Sequence, residues 1–332
     1  MNLENRIRPY CVCGGFPRME SWVFFVPDGE IEIKGCNQGL EILLPMCNGR
    51  NSLDFIRTEL EKTFESKDVE DLLIVLFQHL ILVDSNRIFQ VFYAYSRNPM
   101  PFFESLTPQE TFDFVSDQSH LPLIGNNSVK AKFKKTELQM IMDMRCTIRD
   151  FSGEAMNEES VVSLVWSAYG KQTKRANDES DFLERTFTVP SGGALYPLFI
   201  YLILFKQCGS LEKGIYLWHK EESLLELINA GDFLCESGEI INGIPSLEHS
   251  AGVMCVVADF ERSARKYGNK AYNLIQQEVG HVMQNVALFC AERNIGVVEI
   301  GGYCDEALAS LLDIQFPIEA PLIVAAFGNK RR

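Results

Sequence analysis

From about position 136 to the C-terminus, strand-like and helical runs alternate, and this alternation restricts the chain to a layered fold. Residues 199–205, 253–258 and 322–327 read as strands, and a long helical run spans 271–294. Mixing of this kind implies an α+β structure. At 332 residues the chain exceeds a usual single domain, so a second domain or a sizeable appendage is expected. With 46% hydrophobic and 23% charged residues, each part has enough apolar surface for a real core.

The appendage lies at the N-terminal end. Trp22-Val23-Phe24-Phe25-Val26, then Pro27-Asp28-Gly29, then Glu30-Ile31-Glu32-Ile33-Lys34 read as two strands around a turn. Leu40, Ile42, Leu43 and Leu44 precede Asn48-Gly49; after Ser52, Leu53, Ile56, Leu60 and Phe64 recur at helical spacing. A third run carries Val69, Leu72, Leu73, Leu76 and Leu80 and leads into the strand-like Ile81-Leu82-Val83. A hairpin with helices that end in a strand resembles a winged helix. We assign residues 1–90 to this winged-helix-like domain, 91–135 to a connector and 136–332 to the second domain. The connector contains Pro99, Pro101, Pro108, Pro122, Gly125 and the basic stretch Lys130, Lys132, Lys134, Lys135, which reads as a solvated linker face.

Charge narrows the partners. Residues 1–85 hold 14 acidic and 8 basic side chains, a balance of −6, within a chain of net charge −14. Nucleic acid and anionic membrane are both repelled by such a field. The N-terminal residues have no signal-peptide core and no run is long enough to span a bilayer, so a cytoplasmic protein is expected. The ten cysteines are scattered, and Cys11 and Cys13 lack the spacing of a zinc knuckle. No metal site is expected. The pattern over residues 43–56 and 68–84 resembles the small peptide-recognition domain of enzymes that modify ribosomal peptides, in which a leader peptide adds a strand to the hairpin edge. A helper domain that only packs against its neighbour fits the same pattern.

Four motifs in the second domain carry chemistry. Arg145 and Arg149, around Cys146, are four residues apart and can fork around a phosphate. Pro190-Ser191-Gly192-Gly193-Ala194-Leu195-Tyr196-Pro197 stands directly before the first strand; glycines let backbone approach a flat ligand, and the prolines hold the loop in shape. Glu278-Val279-Gly280-His281-Val282-Met283-Gln284-Asn285 groups polar side chains on one face of the long helix. A zinc site there is poorly supported, since no second histidine follows at metalloprotease spacing. Finally, Gly301-Gly302 at a strand end and the basic terminus Lys330-Arg331 suit a second side of a phosphate site.

Together these residues closely resemble the nitroreductase-like flavoproteins over residues 136–332, and in particular the streptolysin-type and microcin-type azoline dehydrogenases. The resemblance implies a nitroreductase fold and bound FMN. Arg145, Arg149, Lys330 and Arg331 would hold its phosphate, residues 190–195 its isoalloxazine, with Gln284 and Asn285 nearby. A homodimer with the flavin between subunits is also implied. Cys146 stands where a serine is common in that family, at a position facing the phosphate or ribityl chain. Lys266-Tyr267-Gly268 matches a Lys-Tyr pair linked to catalysis, whereas Lys270 and Asn273 stand where arginines are frequent. Making an azole from an azoline removes a proton from one ring carbon and a hydride from its neighbour, the hydride going to flavin N5. An ordinary phenol is a poor base at neutral pH, and an adjacent ammonium favours its phenolate. Tyr267 is therefore the base candidate and Lys266 its electrostatic partner.

The expected activity is oxidation of thiazolines or oxazolines in a precursor peptide, with a cyclodehydratase as biosynthetic partner. No Gly-x-Gly-x-x-Gly motif follows a strand to signal nicotinamide binding. Reduction of dehydroamino acids or nitro groups by NAD(P)H through the same flavin is the second enzymatic reading, and a peptide-binding scaffold is the non-enzymatic one.

Overall fold

The computed structural model of the chain describes residues 7–26, 29–96, 107–116, 133–172, 186–241, 244 and 246–331. The N-terminal unit comprises β1 (Pro9–Cys11), β2 (Gly15–Arg18), β3 (Ser21–Val26), β4 (Gly29–Lys34), α1 (Asn37–Met46), α2 (Leu53–Leu60), α3 (Ser66–Gln78) and β5 (Leu82–Asp84). β3 and β4 pair antiparallel from Ser21↔Lys34 to Val26↔Gly29, as the hairpin pattern predicts. Pro27 and Asp28 of the turn lie outside the described residues. β2 extends the hairpin to three strands, and β1 pairs with β5. The order β2-β3-β4 leaves β4 at an edge. Ser52 caps α2 by accepting the Phe55 N–H at 3.2 Å. Leu53, Ile56 and Leu60 then form one buried stripe that packs with Leu40, Leu43, Leu73 and Leu76.

α4 (Phe89–Ser96) and α5 (Pro108–Ser116) follow, the first beginning just before the stretch read as connector and the second within it. α4 runs across position 90 because Phe89 and Tyr93, one helical turn apart, bury against the second unit. Their rings lie 5.4 and 5.6 Å from that of Phe260, and Tyr93 Oη donates to Asp305 Oδ1 at 2.9 Å. The proline-rich composition that follows had masked this spacing. Pro99, Pro101, Pro122, Gly125, Lys130 and Lys132 lie outside the described residues.

The second unit contains α6 (Glu137–Met144), α7 (Glu158–Tyr169), β6 (Leu198–Leu204), β7 (Gly214–His219), β8 (Leu224–Ala230), α8 (Leu234–Ile240), β9 (Gly252–Asp259), α9 (Phe260–Tyr267), α10 (Lys270–Glu292), β10 (Ile295–Ile300), α11 (Asp305–Leu311) and β11 (Glu319–Asn329). Six strands form one antiparallel sheet in the order β10-β11-β9-β6-β7-β8. Alternate residues of β6 and β9 serve two cores. Leu198, Ile200, Leu202, Met254 and Val256 meet α7 and α10 on one face. Ile203, Val253, Cys255 and Val257 meet α8 and α11 on the other. This is the α+β layering that the sequence predicts. Among the described residues, no helix is long and apolar enough to cross a membrane.

Two registers decide where functional side chains meet. β6 begins opposite the end of β9, at Leu198↔Ala258, which sets the loop entering β6 beside α9. β10 begins opposite the end of β11, at Ile295↔Asn329, which sets the basic terminus beside the last turns of α10.

Candidate functional site

The first register brings the glycine loop onto the Lys-Tyr pair. α9 is capped by Asp259, whose carboxylate accepts the Arg262 N–H at 3.1 Å, and stops at Gly268, where φ is +51°. Lys266 and Tyr267 occupy its last turn, with the Lys266 ammonium 5.3 Å from the Tyr267 ring centroid. Opposite them lies Gly193, at φ +65°. A Cβ at this position would stand 2.7 Å from Lys266 Nζ and collide with Tyr267 Oη. The absence of a side chain at Gly193 is therefore what allows the phenol and the ammonium to converge there. Gly192 packs with similar closeness on Leu274, where a Cβ would sit 3.2 Å from Cδ1.

The loop is held in an uncommon shape. Ala194 and Tyr196 also have positive φ, +54° and +49°, a conformation that costs energy for residues with a Cβ. Four contacts offset that cost. Ser191 Oγ accepts the Tyr196 N–H at 2.9 Å, and the Arg262 guanidinium donates to the Leu195 carbonyl. Lys220 Nζ donates to the carbonyls of Tyr196 and Leu198 at 2.7 and 2.9 Å. Beneath them Glu278, only 2% exposed, takes hydrogen bonds from the hydroxyls of Ser191 and Tyr169. Burial raises the pKa of Glu278, and those hydroxyls, Lys220 and His281 pull it partly back.

Lys220 is enclosed by the rings of Tyr169, Phe199 and Phe187, with its ammonium 4.6, 5.3 and 5.7 Å from their centroids. Burial, helped by the nearby Arg262 charge, brings its pKa from 10.5 down to about 7. Between those two values the unfolded chain holds a proton that the folded chain has released. Stability therefore climbs as pH rises above about 7, and that gain disappears as pH falls back through 7. Lys220→Met is expected to flatten this climb, read as urea midpoints across the window. A variant whose midpoints rise as steeply as the wild type's would remove Lys220 as the source. Lys220 and Tyr169 carry no motif, and sequence reasoning missed both; Glu278 was read only as part of a polar helix face.

The second register assembles the basic corner. Phe151 bridges to Lys330, Ser152 N–H donates to Asn329 O at 2.8 Å, and Arg331 N–H to Asp150 O at 3.3 Å. Arg145, Cys146 and Arg149 are exposed just before this crossing, and the Arg149 carbonyl accepts the Ser246 hydroxyl at 2.7 Å. Arg331 also approaches Asp150 at 3.4 Å. Lys330 is half-buried beside α10, where its charge opposes the effect of burial that lifts the Cys290 thiol to about 12.

The two groups stand at opposite ends of α10. Leu274 and Cys290 are 16 residues apart, about 24 Å along a helix. Gln284 and Asn285 lie between them. Gln284 faces solvent, whereas Asn285 Nδ2 donates to Thr188 O at 3.1 Å and ties α10 to the segment entering the loop. Gly301 and Gly302 do not join the basic corner as the sequence reading grouped them. They follow Ile300, which pairs with Val324, at the end of β10 remote from Lys330. The six-residue strand between the two ends is about 20 Å long. Among the described residues, no cluster of His, Cys, Asp and Glu could hold a metal.

A family model described as the nitroreductase family matches residues 142–329. The Methanocaldococcus jannaschii protein MJ1384, whose name places it with the nitroreductases, is 28% identical over 202 residues, 59% of this chain and 93% of that protein. The Microcin B17-processing protein McbC of Escherichia coli is 28% identical over 155 residues, which is 42% of this chain and 53% of that relative's length. A solved structure of the E. coli microcin synthetase McbBCD complex with truncated pro-MccB17 bound contains a similar chain. Its TM-score is 0.54 at 17% identity, over 74% of this chain and 92% of that one. At such identity the likeness is one of fold.

Proposed function

This chain belongs to the nitroreductase family, and on that premise we propose that it is an FMN-dependent dehydrogenase that oxidises thiazoline or oxazoline rings in a ribosomally made peptide. The observation that carries the reading is the meeting of Lys266 and Tyr267 over Gly193. A phenol and an ammonium on a surface stripped of side chains suit removal of a ring proton beside a flat acceptor. Bound FMN would supply that acceptor, taking up the hydride that leaves the neighbouring carbon. The Tyr267 oxygen, acting as a phenolate paired with the Lys266 ammonium, would take the proton and be left a neutral phenol, and the backbone of residues 190–195 gives the flat ligand a face to lie on.

The residues present fit FMN. Exposed Arg145 and Arg149 with Lys330 and Arg331 offer paired donors for a phosphate dianion, and at Gly193 the bare backbone lies against the Tyr267 oxygen and the Lys266 ammonium. Cys146 would stand with Arg145 and Arg149 at the phosphate end, Gln284 and Asn285 would line the path between these ends, and Gly301 and Gly302 a separate backbone face. Because the basic corner and the Lys-Tyr pair lie at opposite ends of α10, we assign the complete site to a homodimer. α6 favours this assembly. Leu138, Met140, Met142 and Met144 on that helix are about half exposed, with no residue of α6 buried in the single chain, and such a surface calls for a partner.

The similarity to McbC supports a precursor peptide as substrate and a synthetase partner; we take that partner to be a cyclodehydratase and place the reaction in the cytoplasm. The N-terminal unit is the candidate peptide-recognition domain. Its edge strand β4 borders a cavity of about 350 Å³ lined by Ile33, Cys36, Leu60, Phe64 and Leu72, which suits a strand added to β4 with an apolar side chain inserted.

The deciding experiment is direct. Protein loaded with FMN is mixed with a thiazoline-containing peptide in air, and mass spectrometry is expected to record the loss of two hydrogens per ring. Rapid bleaching of the flavin by NAD(P)H, with no ring oxidation, would replace this reading by the reductase one. A colourless protein that takes up no FMN would replace it by the scaffold.

A further inference from the structure

The segment leaving the N-terminal unit grips both ends of the helix that carries Lys266 and Tyr267. At the start of α9, Arg87 faces Glu261 in a fork. Its Nη1 donates to Oε1, and its Nη2 donates to Oε2 at 2.8 Å. Just past the end of α9, Asn269 Nδ2 donates to the Ser85 carbonyl at 2.6 Å, and Asn269 Oδ1 accepts the Phe89 N–H at 3.3 Å. The gripping segment is itself anchored in the N-terminal unit. Ser85 N–H donates to Arg8 O at 2.9 Å, and Arg87 N–H to Asp84 O, the last residue of β5, at 2.7 Å.

α9 needs such support. It has eight residues, of which only Phe260 and Ser263 are buried, and a helix this short has little stability of its own. The fork is also placed to matter, because the Glu261 side chain is 22% exposed and that of Arg87 41%. A partly sheltered two-point pair holds geometry better than an open surface pair.

We propose that Arg87 and Asn269 are positioning residues through which the N-terminal unit holds α9, and so keeps Lys266 and Tyr267 on Gly193. The N-terminal unit is then part of the catalytic centre. This inference rests on the reading of Lys266 and Tyr267 as the catalytic pair and adds to it the device that aims them. Small displacements at such a pair are costly, since about 1 Å of misplacement can slow chemistry by about a hundredfold.

The test uses the full-length protein and compares Arg87→Glu, Glu261→Arg, the double exchange R87E/E261R, the milder Arg87→Lys, and Asn269→Ala. Amide hydrogen exchange is read over residues 260–268, and kcat and KM are measured separately on FMN-loaded protein with an azoline peptide. The single charge changes are expected to speed exchange in α9 by about tenfold, the worth of one charge-assisted contact, and Asn269→Ala by about fivefold, the worth of a neutral one, while the middle of α10 stays protected. Their kcat should fall by about tenfold with KM little changed, and the double exchange should restore most of both losses. Unchanged exchange in α9, or a double variant no better than its parents, would overturn the proposal. Should the single reversals lose protection throughout, Arg87→Lys decides by the same criteria, since it keeps the charge and loses the fork. Exchange does not depend on turnover. Loosened α9 in a protein whose wild type oxidises no ring would sink the functional reading and leave the clamp standing.

Discussion

Tyr267→Phe is expected to give a folded, FMN-binding protein whose azoline oxidation is slower by about a hundredfold or more, the usual scale of a positioned base. The change removes one oxygen and leaves the ring that packs at the end of α9. The oxygen it removes is the atom aimed at Gly193. Lys266→Met keeps the length of the side chain and removes its charge 5.3 Å from the phenol ring, so a smaller loss is expected, mainly in kcat. Mass spectrometry of the peptide gives the rate, flavin absorbance gives cofactor occupancy, and a thermal melt checks the fold. Wild-type turnover in both variants would take the pair out of the reaction, whatever the fate of the flavin.

Gly193→Ala should reach a comparable defect by another route. The backbone there is left-handed, so any Cβ costs about 1 kcal/mol before contacts are counted. The new methyl would also drive Lys266 Nζ from a position 2.7 Å away and displace the phenol oxygen. We expect the melting transition to drop modestly and kcat to fall by about ten- to a hundredfold through lost alignment. Gly238→Ala is the matched control. It lies in α8 with nothing within 4 Å of the added methyl, and it should leave turnover unchanged. Equal activity in the two variants would mean that the loop does not press on the Lys-Tyr pair.

The parts of the site visible in the sequence are those whose residue types are chemically unusual. A Pro-Ser-Gly-Gly loop, paired arginines and a Lys-Tyr pair each stand out without knowledge of what they touch. The layered fold was legible for a similar reason, because β6 and β9 are unbroken apolar runs of strand length and α10 keeps one helical period. The Lys220, Tyr169 and Glu278 network was not legible. Its members are scattered from position 169 to 278, and only packing between α7, α10 and the end of β7 joins them. β2 was hidden because Gly15-Phe16-Pro17-Arg18 has neither alternation nor burial. The grouping of Gly301 and Gly302 with Lys330 and Arg331 went astray because both sets are strand ends, and antiparallel pairing sends those two ends in opposite directions. Nor could spacing reveal that Arg87 reaches Glu261, 174 positions later.

The terminal rung between Leu198 and Ala258 also makes strand length a ruler for the reaction. Deleting a single residue from β9 would pull α9 back by about 3.3 Å and turn its side chains to the opposite face. A deletion or insertion in the bend between β6 and β7 would leave that rung where it is. An engineer who wishes to graft new recognition onto this scaffold should therefore lengthen the far-end bends and keep the residue count between Leu198 and Tyr267 on these two strands untouched.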